Sequence, residues 1–148
     1  SSSLKILQNQ LKLFHHFRHL PYAMTAHIRY DKWDKDDMAT YSKKIIQKII
    51  RYQIKFKGLI MSDDMTMKAN HYDIKESISK CNHASIDIFL DCSSDWERYH
   101  EVIKTFQVTN RYKKSLKIMN TKRKIEIKSI NIIQYHDLYN ELIKSYGI

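Results

Sequence analysis

Apolar residues at positions 4, 6, 7, 11, 13 and 14 recur at helical spacing, so the pattern predicts an amphipathic helix over residues 4–14. Leu20-Pro21 ends that register, because proline disfavours helical geometry in the residue before it. From residue 22 to 28 the pattern becomes a short, mostly apolar run, a buried-strand candidate with His27 near its end. A polar stretch with four aspartates follows over residues 29–38. Thr40 or Ser42 can then cap a helix over 42–53, with Ile45, Ile46, Ile49 and Ile50 on one face. Gly58 closes the next turn, and residues 59–62 read as a second strand. A helix over 73–83, a third strand over 86–92 and a helix over 95–106 complete the pattern. Ser94 is the expected cap of that last helix, with Trp96, Tyr99, Val102 and Ile103 facing inward. The alternation βαβαβα calls for a parallel sheet with right-handed crossovers. Beyond Gln107 the alternation stops, and residues 110–120 and 131–146 carry helical patterns.

A parallel sheet collects its strand ends on one side. The expected rim therefore holds His27, Asp63 with Asp64, and Asp91. The apolar run Leu59-Ile60-Met61 leads directly into Ser62-Asp63-Asp64, the way a buried strand delivers an acid to the rim of an α/β barrel. A carboxylate held there can act as the nucleophile of a retaining glycosidase. It can also cap the next loop, which is the plainer reading for Asp91. Magnesium binding by Asp63-Asp64 would need more ligands than one dipeptide offers. His15, His16 and His19 read as a solvated helix end rather than a metal site. No metal and no cofactor are expected.

Composition narrows the class. With 148 residues and 43% hydrophobic content, the chain can build an ordinary core. No apolar run approaches the roughly 18 residues of a membrane span. Cys81 and Cys92 lack metal-ligand spacing and read as inert packing residues. Two thiols without a secretion signal suggest a cytoplasmic protein. The start, Ser1-Ser2-Ser3-Leu4-Lys5, suggests a chain shortened at its N-terminus. Only two glycines and one proline are present, far fewer than turn-rich α/β proteins use. Lys, Ile, Asn and Tyr, whose codons are A/T-rich, dominate instead, which points to an A/T-rich bacterial genome. The net charge of +10 is concentrated: residues 108–128 hold eight Lys or Arg against Glu126 alone. Nucleic-acid binding would want aromatics interleaved with those cations, and only Tyr112 fits. A basic nucleic-acid-binding protein is therefore the weaker alternative.

The residues resemble a known family. Phe56-Lys57-Gly58-Leu59-Ile60-Met61-Ser62-Asp63-Asp64-Met65-Thr66-Met67 is similar to the nucleophile strand of glycoside hydrolase family 3, in its bacterial β-N-acetylhexosaminidase branch. Met24-Thr25-Ala26-His27-Ile28 resembles the preceding strand, Ala39-Thr40-Tyr41-Ser42 the following helix entry, and Ala84-Ser85-Ile86-Asp87 the approach to the last strand. The resemblance covers about residues 4–106. It implies the last three β/α units of a TIM-like (β/α)₈ barrel over residues 1–107; the charge and helical patterns beyond it read as a basic, mostly helical extension over 108–148. It implies Asp63 as the catalytic nucleophile, Asp64 as a supporting acid and His27 as a substrate or structural contact. The implied substrate is a terminal β-linked N-acetylglucosamine, and the implied role is peptidoglycan recycling.

Three positions depart from the family pattern: Met38 where Pro is usual, Tyr41 where Leu is usual, and Ser85 where Gly is usual. The family's acid/base loop and its sugar-binding Arg and Lys-His pair precede the region that opens here. The resemblance therefore leaves a non-catalytic remnant, or a fragment completed by a separately encoded N-terminal half, as the alternative. An isolated part-barrel is expected to be marginally stable or to need a partner.

Overall fold

The structure is a computed structural model that describes residues 4–127. The chain divides into two compact units, residues 1–113 and 114–148. Element order in the first unit is α1 (Leu4–His16), β1 (Tyr22–Met24), a π-helix (Ile45–Gln53), β2 (Leu59–Met61), α2 (Ile74–Ala84) and α3 (Trp96–Thr105). A further helix, α4 (Asn110–Ile127), begins in the first unit and forms the described part of the second. The helical pattern expected over 131–146 lies outside the described residues.

β1 and β2 pair in parallel, with Tyr22 opposite Leu59, Ala23 opposite Ile60 and Met24 opposite Met61. The Thr25 N–H donates to the Met61 carbonyl at 2.9 Å, extending the ladder one residue towards the rim. Gly58 stands where the chain enters β2. A Cβ there would lie 2.4 Å and 2.5 Å from the carbonyl oxygens of Leu20 and Pro21, so only glycine fits this approach.

The third expected strand is not formed as a regular strand. Residues 86–90 run parallel to β2 with a single bridge, Met61 to Ile88. Side chains take the ladder's place on either side of that bridge. The Ile60 N–H donates to Asp87 Oδ2 at 2.9 Å, and the Leu90 N–H donates to Ser62 Oγ at 2.9 Å. The topology is still that of successive parallel β/α units.

The core lies between the sheet and its helices. Ile46, Ile60, Cys81, Ala84 and Ile86 are completely buried, and Tyr41, Ile54, Phe56 and Met65 close around them. The Ile45, Ile46 and Ile49 face of the π-helix is buried as its sequence pattern predicts. Its first turn is held by Ser42, whose hydroxyl accepts from the Ile45 N–H at 3.0 Å. The winding is wider than α: the Ile54 N–H reaches back five residues to Ile49. Asp73 caps α2 by accepting from the Glu76 N–H at 2.8 Å.

α3 departs from its expected pose. Asp95, not Ser94, is its cap, accepting from the N–H groups of Glu97 and Arg98. Its inward face is not Trp96 and Ile103, which are 73% and 82% exposed. Tyr99, Val102 and Phe106 are half-buried instead, with the Phe106 ring tilted against Phe89, centroids 5.5 Å apart. His15 also differs from a solvated helix end: its Nδ1–H donates to the Ile54 carbonyl at 3.0 Å and ties α1 to the end of the π-helix.

Candidate active site

The rim forms where β1 and β2 end together. Ser62 is fully buried and its hydroxyl is used on the neighbouring segment, so Asp63 and Asp64 leave the strand half-exposed. The Asp63 carboxylate receives one backbone donor on each oxygen. The Asp64 N–H donates to Oδ1 at 3.0 Å, and the His27 N–H donates to Oδ2 at 3.4 Å. Both strands thus orient the same carboxylate while leaving lone pairs on each oxygen uncommitted.

His27 is buried at the end of β1. Its Nε2 lies 3.1 Å from the Asp64 carbonyl, which can only accept, so the proton sits on Nε2. That bond fixes the Asp64–Met65 peptide, next to the Asp64 N–H that donates to the Asp63 carboxylate. The remaining ring nitrogen, Nδ1, is a buried acceptor without a protein partner among the described residues. The Tyr41 ring lies beside the imidazole with ring centroids 5.8 Å apart, and its hydroxyl is buried among Met65, Asn70 and Ser77. Burial pushes the Tyr41 phenol well above its ordinary range, so it serves here as a neutral hydrogen-bonding group.

Asp64 does a different job from Asp63. Its carboxylate accepts from the Thr66 hydroxyl at 2.6 Å, the Thr66 N–H at 3.0 Å and the Cys92 N–H at 3.1 Å. The Thr66 hydroxyl bond is the main reason its carboxyl is held below the usual range; burial opposes the shift and the two N–H donors add to it. Asp91 is set apart from the other rim groups by Arg98, which binds its Oδ2 at 2.6 Å. Burial pushes the Asp91 carboxyl up, but Ser93 and Arg98 together outweigh it and keep it below the usual range. The sequence-derived site therefore separates into a coupled group, His27 with Asp63 and Asp64, and a structural pair, Asp91 with Arg98. No group of three His, Cys, Asp or Glu among the described residues is arranged to hold a metal ion.

Some participants were not singled out from sequence. Ser62 and Tyr41 support the rim from beneath. Their signal is weak: one is a common strand-end residue, and the other stands where the family pattern has Leu. Asp87 is a second buried acid, bonded to Arg51 at 2.6 Å. It faces the entry of β2, away from the strand ends, and its role is to hold the sheet.

Successive parallel β/α units that end on one rim, with a backbone-oriented carboxylate at the second strand's end, define a protein of the β/α-barrel class. Comparison with known proteins agrees and is more specific. The sequence profile described as "Glycosyl hydrolase family 3 N terminal domain" matches residues 18–125, and the chain belongs to that family. Over 92 residues it is 37% identical to a beta-hexosaminidase of Hydrogenovibrio crunogenus, a match spanning 61% of this chain and 23% of that one. The β-N-acetylglucosaminidase of Thermotoga maritima superposes with a TM-score of 0.59 at 25% identity, over 82% of this chain and 30% of that chain. A family 3 β-N-acetylglucosaminidase from Paenibacillus sp. str. FPU-7 superposes with a TM-score of 0.68 at 18% identity, over 88% of this chain and 27% of that chain, and supports the fold. The chain thus spans under a third of the length of these relatives.

Proposed function

We propose that this chain carries the nucleophile portion of a retaining β-N-acetylglucosaminidase site, with Asp63 as the nucleophile. The observation that carries the reading is the Asp63 carboxylate, half-exposed at the rim and aimed by backbone donors from both strands. In this reaction an Asp63 oxygen attacks the anomeric carbon of a β-linked N-acetylglucosamine. The bond to the leaving oxygen breaks, and that oxygen takes the electron pair and a proton. Water then cleaves the glycosyl ester with net retention. His27 aims the Asp63 carboxylate through its backbone N–H and holds the Asp64 carbonyl through Nε2. The relatives' activities support N-acetylglucosamine as the substrate, and removal of that sugar from cell-wall fragments in the cytoplasm is the corresponding role.

A specific observation favours a second reading beside it. A general acid needs a raised pKa, whereas Asp64 and Asp91 are both held low by their partners. Neither is suited to protonate the leaving group. Efficient turnover would then require an acid from outside residues 1–148, a separately encoded N-terminal half being one source, or the chain is a non-catalytic remnant.

Two substrates separate these readings. A 2,4-dinitrophenyl β-N-acetylglucosaminide has a leaving group that needs no proton, while a methyl glycoside does. The proposal expects burst release of dinitrophenol and a covalent sugar adduct by mass spectrometry, both abolished by Asp63→Asn. Loss of the acid alone would suppress the methyl glycoside by about 10²- to 10⁴-fold relative to a complete enzyme. No adduct and no burst from the folded chain would reject Asp63 as its nucleophile and leave the remnant reading.

A further inference from the structure

We propose that Trp96 is a stacking platform for a second sugar, next to the N-acetylglucosamine unit at Asp63. This rests on the reading of Asp63 given above. Trp96 opens α3, directly after the segment that leaves the sheet on the same rim as Asp63 and Asp64. That segment is fastened to the site: the Cys92 N–H donates to Asp64 Oδ1 at 3.1 Å. Three residues separate Cys92 from Trp96, so over four Cα–Cα steps the Trp96 backbone lies within about 14 Å of that contact at full extension.

The intervening turn is pinned at each step. Asp91 binds Arg98 through Nε at 3.1 Å and through Nη2 at 2.6 Å, and Asp95 caps the helix. Trp96 is therefore presented from a fixed backbone, yet it is 73% exposed. Its ring is also oriented. Tyr99 meets it edge-to-face with centroids 5.9 Å apart and planes at 84°, and His100 lies 6.3 Å away. His100 is held in turn by donating from Nδ1 to the Trp96 carbonyl at 2.9 Å.

An oriented, exposed indole on a glycosidase rim suits one ligand chemistry. A β-linked glucosaminide carries its ring substituents equatorially, so its faces are flat arrays of axial C–H groups. Those weakly positive hydrogens are complementary to the negative face of the indole. The sugar at Asp63 lies beyond the strand end, and the next unit of a β-linked chain extends outwards over the rim. Trp96 would thereby favour a disaccharide over a single sugar.

The probes are N-acetylglucosamine and N,N′-diacetylchitobiose, titrated against the full chain and read by saturation-transfer NMR and by the two tryptophan indole N–H signals. The disaccharide is expected to bind more tightly and to shift the Trp96 signal more than that of Trp33. Trp96→Ala is expected to reduce the disaccharide-to-monosaccharide affinity ratio by about threefold to tenfold, with Trp96→Phe in between. Trp96 is exposed, so circular dichroism should show both variants folded. A ratio unchanged in Trp96→Ala overturns the platform while leaving the site at Asp63 intact. Binding of neither sugar by the unaltered chain overturns both. Sedimentation showing that Trp96→Ala abolishes self-association, with no change in sugar preference, would assign the indole to a contact between copies instead.

Discussion

Ser85 shows what a single residue costs in this fold. It terminates α2 in the left-handed region, at φ 66° and ψ 45°, and its N–H bonds back to Cys81 and Asn82. An L side chain there carries a steric penalty of roughly 1–2 kcal/mol that glycine avoids. Ser85→Gly should therefore stabilise the chain by about 1 kcal/mol after the greater unfolded-state freedom of glycine is deducted, read as a higher denaturation midpoint. An unchanged or lower midpoint would show that the serine compensates for its own backbone. Gly58 is the converse case, since a methyl group there meets two carbonyl oxygens; Gly58→Ala should cost about 2 kcal/mol. Three aspartates make a second residue-level effect. Asp34, Asp64 and Asp91 all have carboxyls held below their ordinary range by hydrogen bonds or cations, against the opposing effect of burial. Each therefore binds its proton less readily folded than unfolded. Their contribution is fully present above the unfolded aspartate value of about 4 and disappears as pH falls through the lower folded values. The melting temperature should hold between pH 7 and 5 and fall below about pH 4, with a shallower fall in Asp34→Asn. Equal acid slopes in Asp34→Asn and the unaltered chain would remove Asp34 from this account.

Asp87 joins elements. One oxygen binds Arg51 of the π-helix at 2.6 Å and the Ile60 N–H of β2 at 2.9 Å, and the other accepts from Thr109. Arg51 also donates to the carbonyls of Phe56 and Gly58. Burial and the nearby Arg111 charge lower the Arg51 guanidinium to about 10, with Asp87 resisting the shift. Removing one partner leaves a charge with 12% or 2% side-chain exposure unpaired. Arg51→Met and Asp87→Asn should each cost about 3 kcal/mol in urea unfolding, and the double variant clearly less than their sum. Additive losses would show that the two side chains stabilise independently. The same residue explains why sequence reading succeeded on β1 and β2 but only partly on the third segment. Apolar runs mark Leu59-Ile60-Met61 as a buried strand, and a ladder forms there. Ile86-Asp87-Ile88 has the same signature, yet Asp87 and Ser62 supply side-chain acceptors where backbone carbonyls would otherwise pair. Periodicity does not register that substitution. The triad His27, Asp63 and Asp64 was legible because strand direction alone brings strand ends together. The outward turn of Trp96 was not, because α3 packs through Tyr99, Val102 and Phe106, and no residue of α3 is fully buried to fix which face is inside.

At the scale of the molecule, the described β/α units leave apolar surface open. Among the described residues the sheet has two strands, so β1 is an edge. Beside it runs a groove of about 450 Å³ lined largely by apolar side chains of α1, β1 and the π-helix; neither Asp63 nor His27 lines it. Phe14, Phe17, Leu20 and Met24 contribute to that lining and are 56%, 48%, 42% and 61% exposed. A parallel edge flanked by apolar side chains is a template for further pairing. Soluble proteins cover such an edge or place charge on it. The formal charge of +10 opposes association, but its densest part lies in residues 108–128, away in sequence from β1. The chain should therefore self-associate with rising concentration and increase the fluorescence of an apolar dye. Met24→Lys puts a solvated cation on the edge at a position already open to water, at little cost to the fold. It should reduce both signals while leaving the circular dichroism and the melting temperature nearly unchanged. Phe17→Ser should lower dye binding by removing groove surface without adding charge. Association that persists in Met24→Lys at full strength would place the contact elsewhere, with the exposed Trp96 and Ile103 of α3 as the next surface to alter. Loss of association in both variants would mark the β1 edge and its groove as the surface through which copies of the chain associate.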